Sequence, residues 1–195
     1  SASPELFLAR NGLRITTSPI KGTAMHKREL LDKDRAENVM IVDLMRNDLS
    51  EICAPGSIQV PELLRIEEHP GLVHLVSDVQ GELLPETPWS EILQATMPPG
   101  SVSGAPKSSS LAVIQRLEQT PRDIYCGTIG WIDVPEERAE LAVGIRTFWQ
   151  STVDEIPVLN FGTGAGITWG SDPEREWEET ELKAKHLLTI ASMNA

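Results

Sequence analysis

Two apolar segments joined by a four-residue polar turn constrain the fold of this chain most. Residues 127–134 and 140–149 have the composition of β-strands, and Pro-Glu-Glu-Arg at residues 135–138 separates them. So short a connection joins antiparallel strands, because parallel strands need a crossover of a dozen or more residues. We therefore expect an antiparallel sheet, to which the apolar runs at residues 71–79 and 158–161 add further strands.

Four segments carry helix signals. The longest is residues 28–49, in which Leu31, Met40 and Leu44 are available for a buried apolar face. The charged residues outside that face are Asp34, Glu37, Arg46 and Asp48. A second helix is predicted from about Ser90 to before Pro98, and a third over residues 109–118. The last follows the glycine-rich residues 162–166, with Ser171 or Asp172 as its cap and Pro173 in its first turn.

The segment between the second and third helices is predicted to be irregular. Residues 98–107 contain three prolines and two glycines, which interrupt helices and strands alike. Helices beside antiparallel strands indicate the α+β class, with antiparallel β-sheets flanked by helices.

Composition narrows the possible functions. The chain has 195 residues, of which 40% are hydrophobic, as expected of one compact domain. Its net charge of −12, without a basic cluster, argues against a nucleic-acid partner. Cys53 and Cys126 have neither metal-site nor disulfide-framework spacing, so a reducing cytoplasm is the expected location. No apolar stretch approaches the ~20 residues that a membrane span needs.

Two acidic pairs share one spacing. Asp34 and Glu37 lie three residues apart in the first helix, as do Glu176 and Glu179 in the last, so each pair occupies one helix face. Each is either a solvated acidic surface or half of a site in which facing carboxylates hold a hard cation such as Mg²⁺. Lys183, four residues after Glu179, would then balance the remaining charge or contact a substrate.

Three other features each have a structural and a functional interpretation. The Gly164-Ala165-Gly166 turn before the last helix is either a tight turn or a set of backbone amides for an anion. Arg146 interrupts an apolar strand and needs either a structural partner or an anionic ligand. His74, within the strand at residues 71–79, is either a core histidine or a hydrogen-bond donor to a pocket.

These segments together resemble the C-terminal part of the chorismate-binding fold shared by anthranilate, aminodeoxychorismate, isochorismate and salicylate synthases. The matching stretches are residues 3–8, 19–23, 34–48, 74–77, 99–107, 125–130, 145–147, 164–167 and 176–183. The resemblance implies two facing antiparallel sheets with helices outside. It also implies that residues 1–195 are the C-terminal portion of a catalytic domain whose N-terminal half is absent, so that apolar sheet surface stays uncovered unless the chain assembles, for example as a homo-oligomer.

The resemblance assigns roles to individual residues. It implies that Glu37 and Glu179 bind Mg²⁺, with Asp34 and Glu176 beside them. It further implies that chorismate is contacted by Thr23, Ser103, Tyr125, Arg146, Gly164, Ala165, Gly166 and Lys183. The resemblance implies Glu5 as a catalytic general acid or base, and the functional interpretation of His74 makes it a catalytic residue that helps the leaving group depart.

Lys21 distinguishes branches of the family. The Pro-Ile-Lys-Gly-Thr at residues 19–23 is similar to aminodeoxychorismate synthases, whereas anthranilate synthases have alanine at the lysine. The implied reaction is attack by the Lys21 amine on chorismate, then displacement by ammonia from a glutamine amidotransferase partner, giving 4-amino-4-deoxychorismate for folate synthesis. The alternatives are anthranilate or isochorismate/salicylate synthesis with an incidental Lys21, or an inactive fragment; from the sequence alone, Lys21 is a surface lysine in a loop.

Overall fold

A computed structural model describes residues 1–69 and 72–192. Within these ranges the chain forms nine strands and five α-helices. The strands are β1 (Leu6–Asn11), β2 (Arg14–Ser18), β3 (Ile20–Ala24), β4 (Gln59–His69), β5 (Leu72–Glu82), β6 (Thr128–Asp133), β7 (Arg138–Val143), β8 (Phe148–Val153) and β9 (Ile156–Phe161). The helices are α1 (Asp32–Ser50), α2 (Trp89–Thr96), α3 (Gly100–Ser103), α4 (Lys107–Leu117) and α5 (Pro173–Ser192).

Every strand pairing is antiparallel. Seven strands form one sheet in the order β3-β5-β2-β1-β7-β6, and β4 also pairs with β5. Both Thr16 of β2 and Gln59 of β4 are paired with Gln80, so β4 occupies one edge of β5 while β2 and β3 share the other. β8 and β9 form a separate two-stranded sheet. The predicted α+β class and the hairpin β6–β7 are confirmed.

Helix α1 supplies one side of the core that supports the site. Its buried residues Ile41, Met45 and Leu49 belong to the same apolar cluster as Phe7 of β1 and Val79 of β5. Burial of large aliphatic side chains of this kind contributes about 1.5–3 kcal/mol each, which fixes α1 against the sheet. The C-terminal half of α1 is therefore anchored in the core.

A polar contact fixes the position of α1 along the sheet. Asn38 is fully buried, donates from Nδ2 to the Leu75 carbonyl at 3.2 Å, and accepts from the Ser77 hydroxyl at 2.5 Å. Ser77 Oγ in turn accepts from the Leu64 backbone N–H at 2.9 Å. One helix residue thus connects α1, β5 and β4, so that a slip of the helix by one turn would leave several buried groups unpaired.

The predicted first helix needs two corrections. It begins at Asp32 instead of residue 28, after a 3₁₀ turn at Lys27–Glu29, because the Asp34 carboxylate accepts from the Leu31 N–H at 2.8 Å and caps the helix there. The predicted buried face was wrong for Leu31 and Met40, which are 54% and 44% exposed. Asp48, predicted to lie outside that face, is buried in an ion pair with Lys107 at 2.7 Å.

Two further predictions were wrong in part. The strand expected over residues 140–149 ends at Val143, and β8 begins only at Phe148. A Cβ at Gly144 would collide with the Ile124 carbonyl, and Arg146 has a left-handed φ of +48°, so the backbone leaves the sheet between them. In residues 98–107, expected to be irregular, Gly100–Ser103 forms α3 and α4 starts at Lys107.

The other element predictions agree closely with the structure. The second and third predicted helices are α2 and α4, and the strand expected at residues 158–161 is β9. The strand predicted over residues 71–79 is β5, although Pro70 and Gly71 lie outside the described residues. Asp172 caps α5 by accepting from the Arg175 N–H at 3.1 Å, as its position before Pro173 predicted. Strands β1 to β4 were not predicted as strands.

The expectation of uncovered apolar sheet surface is confirmed. Trp131 of β6 and Val153 of β8 are more than half exposed, as are Ile156 and Leu159 of β9. Among the described residues, no helix is long and apolar enough to cross a membrane.

Candidate active site

Lys21 lies where β3 comes closest to α1. Gly22 has a φ of +87°, and a Cβ added there would lie 2.8 Å from Asp34 Cβ, so only glycine allows this approach. Lys21 Nζ donates to Glu37 Oε1 at 2.7 Å, and the two side chains are only 14% and 17% exposed. The interpretation of Lys21 as a surface lysine in a loop is therefore wrong: it is a largely enclosed strand residue.

Glu5 is a buried acid next to this lysine. It precedes β1, is 6% exposed, and accepts a hydrogen bond from the Ser101 side chain of α3. Burial raises the pKa of Glu5 to about 7, although the Ser101 hydrogen bond and the positive charge of Lys21 pull it downward. A carboxyl group with such a pKa can both give and take a proton near neutral pH.

His74 and Thr23 face each other across β5 and β3. The residues are register partners, and Thr23 Oγ1 lies 2.8 Å from His74 Nδ1. His74 is 2% exposed, and burial lowers its pKa to about 4, helped by the positive charge of Arg146 and by His69. The imidazole is therefore neutral at pH 7 and has a hydrogen-bond partner in the protein. This burial supports the core interpretation of His74, and its Thr23 contact orients the ring.

Arg146 lies near His74, and in the described part of the chain its charge has no acidic partner. Burial lowers the pKa of its half-buried guanidinium, and its nearness also contributes to the lowered pKa of His74. Among residues 1–69 and 72–192, no carboxylate forms an ion pair with Arg146. An arginine removed from water without an acidic partner is suited to an anionic ligand.

The glycine-rich turn after β9 passes close to two side chains. A Cβ at Gly164 would lie 2.5 Å from the Tyr125 hydroxyl, and one at Gly166 would lie 2.6 Å from Glu37 Oε1. A Cβ at Gly162 would collide with the Tyr125 ring. None of these three glycines has a left-handed φ, so it is the close approach of the turn to Tyr125 and Glu37 that requires glycine. Burial of the Tyr125 hydroxyl raises its pKa. Ala165 is half-buried between Gly164 and Gly166.

Helix α5 reaches the same turn through a lysine. Lys183 Nζ lies 2.6 Å from Glu179 Oε1 and donates to the Gly164 carbonyl at 3.1 Å. Since Glu37 lies against Gly166, two residues further on, glutamates from both acidic helices converge on one short turn. Glu37, 17% exposed, is therefore not part of a solvated surface, whereas Glu179 is 44% exposed and its role as a metal ligand stays a prediction.

The outer members of the acidic pairs have other contacts. Glu176 on α5 is buried and has Lys33 Nζ of α1 at 3.9 Å, which connects the two helices directly. Asp34, as described above, caps α1, so it has a structural task independent of any ligand. Of the four predicted metal ligands, Glu37 lies against the glycine turn and Glu179 is connected to it through Lys183.

The carboxylates near this turn are donors of the kind used by a hard cation that takes few of its ligands from the protein. Within the described ranges, no group of three or more Asp, Glu, His or Cys side chains is arranged to hold a metal ion. Mg²⁺ commonly uses one or two carboxylates and completes its octahedron with waters and substrate oxygens. Glu37 and Glu179 are the carboxylates that would meet this requirement, and each is paired with a lysine in this structure.

The sequence predicted Ser103 as a site residue but not Ser101, two positions before it. Ser103 is buried and donates to the Pro99 carbonyl at 3.0 Å, a contact within its own segment, whereas Ser101 is the α3 residue that reaches Glu5. A Cβ at Gly100 would clash with Leu44 and Met45, so α3 packs directly on α1. The proline-rich composition of this segment predicted its special backbone but not which serine faces Glu5.

Comparison with known proteins identifies the family of this chain. The sequence pattern described as "chorismate binding enzyme" matches residues 1–189. The chain belongs to this family. It is 40% identical over 96% of its length to anthranilate synthase component 1 of Aquifex aeolicus, and 37% identical over 96% to aminodeoxychorismate synthase component 1 of Klebsiella aerogenes.

A solved structure extends the agreement to three dimensions. Anthranilate synthase component I from Streptococcus pneumoniae superposes on 95% of this chain with a TM-score of 0.79 and 34% identity. The chain spans 39% and 43% of the two relatives named above and 42% of this structure. The similarity thus covers nearly all of this chain but less than half of each relative.

Proposed function

We propose that this chain is the chorismate-binding catalytic portion of an aminodeoxychorismate synthase component I. The observation that carries the proposal is the enclosed Lys21 amine, 2.7 Å from Glu37 and near the buried Glu5. The low exposure of Lys21 to water is typical of a nucleophile rather than of a solubilising surface charge. The Glu37 carboxylate favours the charged form of the amine, so that contact has to open before the lysine can react.

The proposed reaction begins with an uncharged Lys21 amine. Its lone pair attacks C2 of chorismate, the ring double bonds shift, and the C4 hydroxyl leaves as water. Glu5 supplies the proton for the departing hydroxyl, which its pKa of about 7 allows at neutral pH. Lysine is ordinarily protonated at that pH, so a proton has to leave Lys21 before the attack.

The second half of the reaction releases the enzyme. Ammonia attacks C4, the bond between C2 and the Lys21 nitrogen breaks, and the double bonds return, giving 4-amino-4-deoxychorismate. Glu5, left ionised by the first step, takes a proton from the incoming nitrogen. We propose a glutamine amidotransferase subunit or domain as the source of ammonia, by analogy with related synthases of the family.

We assign substrate binding to the arginine, the backbone amides and the glutamates described above. Arg146, which has no carboxylate partner among the described residues, would bind a carboxylate of chorismate together with Tyr125 and the Gly164–Gly166 amides. Glu37 and Glu179 would hold Mg²⁺, which supplies positive charge for a second substrate carboxylate. Thr23, Ser103 and Lys183 remain predicted substrate contacts, and His74 a predicted catalytic residue.

A second candidate is anthranilate synthase component I. The identity to the anthranilate synthase of Aquifex aeolicus, 40%, is slightly above that to the aminodeoxychorismate synthase of Klebsiella aerogenes, 37%. In this case Lys21 would serve only as the ion-pair partner of Glu37. The two activities differ in their product and in their need for the lysine.

Product analysis separates these candidates. The full-length protein is incubated with chorismate, Mg²⁺ and an ammonium salt, and the products are separated by chromatography with mass detection. We expect 4-amino-4-deoxychorismate, and we expect Lys21→Ala to lose product formation while Lys185→Ala, at an exposed position of α5, serves as a folded-state comparison. Anthranilate, isochorismate or salicylate as the product, or an unaffected Lys21→Ala variant, would contradict the proposal.

A further inference from the structure

Lysines neutralise the carboxylates that this site offers to a cation. Lys21 Nζ lies 2.7 Å from Glu37 Oε1, and Lys183 Nζ lies 2.6 Å from Glu179 Oε1. Lys33 Nζ is 3.9 Å from Glu176 Oε1. Lys21 and Lys183 therefore already satisfy the two glutamates at the glycine turn with positive charge.

We infer that Lys21 is an internal counter-ion that a divalent cation must displace from Glu37, so that this lysine weakens metal binding and metal binding releases its amine. The inference rests on the metal of the proposed function. An ammonium and a metal ion cannot both approach Glu37 Oε1 closely, because like charges at contact distance repel strongly in a site shielded from water. The same oxygen is also crowded by Gly166, which limits alternative positions for Lys21.

The two lysines should contribute unequally. Lys21 and Glu37 come from different elements and are 14% and 17% exposed, whereas Lys183 and Glu179 are four residues apart on one helix and 34% and 44% exposed. Solvent screens the second pair more strongly. Removal of the Lys21 charge should therefore tighten divalent-cation binding more than removal of the Lys183 charge.

Mn²⁺ binding to the full-length protein tests whether Lys21 opposes the cation more than Lys183 does. Free Mn²⁺ is measured by electron paramagnetic resonance in the absence of chorismate. We expect Lys21→Met to tighten the dissociation constant at least about tenfold, Lys183→Met by about twofold to fivefold, and the exposed Lys185→Met by less than about twofold. Lys21→Arg retains both bulk and charge and should bind Mn²⁺ as the unaltered protein does. Glu37→Gln should weaken binding in every background.

The outcomes separate this inference from the proposed activity. Equal or weaker Mn²⁺ binding by Lys21→Met, equal tightening by Lys21→Arg, or no Mn²⁺ binding in any protein overturns the counter-ion role. If Lys21→Met does not fold, Lys21→Gln provides the same comparison. Product formation by the unaltered protein is measured alongside. If the unaltered protein forms product but Lys21→Met binds Mn²⁺ with unchanged affinity, this inference alone is overturned. Tightened affinity without product overturns the proposed activity alone.

Discussion

Glu5 makes the stability of this protein depend on pH in a direction that can be calculated. Its pKa is about 7 in the folded protein, against the ordinary 4.5, because burial disfavours the carboxylate. Between these values the folded state keeps a proton that the unfolded state has lost, so rising pH favours unfolding. The difference corresponds to roughly 3 kcal/mol, all of it lost from the free energy of unfolding above pH 7.

Glu5→Gln removes this dependence while keeping an acceptor for Ser101. We expect the free energy of unfolding of the unaltered protein, relative to the variant, to fall by roughly 2–3 kcal/mol between pH 5 and pH 8. Urea denaturation followed by tryptophan fluorescence measures it. The lowered pKa of His74 acts in the opposite direction and adds stability as pH rises from about 4 to 6.5. This contribution is the same in the unaltered protein and in Glu5→Gln, so it cancels in the difference between them. A difference between the two proteins that stays constant with pH would refute the account of Glu5.

Three substitutions test contacts that hold the site together. Lys107→Met leaves the buried Asp48 carboxylate unpaired and should cost about 3–5 kcal/mol in urea denaturation. Gly22→Ala forces a Cβ towards Asp34 at a left-handed φ and should destabilise by more than about 1 kcal/mol; equal stability would remove the steric argument. Asn38→Leu leaves the Leu75 carbonyl and the Ser77 hydroxyl without their partner and should lower thermal stability by about 1–3 kcal/mol.

Local signals predicted most elements but few boundaries. The hairpin β6–β7 and the Asp172 cap of α5 depend on residues within a few positions of each other, and both were predicted. The break at Arg146 depends on the close packing of Gly144 against the Ile124 carbonyl, about twenty residues away in sequence, and no local pattern reveals such a contact. The strand therefore looked continuous in the sequence.

The site was predicted as separate residues rather than as pairs. Resemblance to the family named Lys21 and Glu37 for different tasks, and the sequence offers no sign that they form an ion pair across two elements. The contact between Glu5 and Ser101 likewise joins residues far apart in the chain. Long-range ion pairs and hydrogen bonds follow from how α1 and α3 pack on the sheet, so they emerge only once the fold is known.

The covalent role of Lys21 is tested most directly by the intact mass of the full-length protein. The protein is mixed with chorismate and Mg²⁺ without ammonia, quenched in acid, and examined by mass spectrometry. We predict an added mass equal to chorismate less one water, located on the peptide that contains Lys21 and absent from Lys21→Ala. Absence of this adduct, together with undiminished formation of 4-amino-4-deoxychorismate by Lys21→Ala, would contradict the central claim.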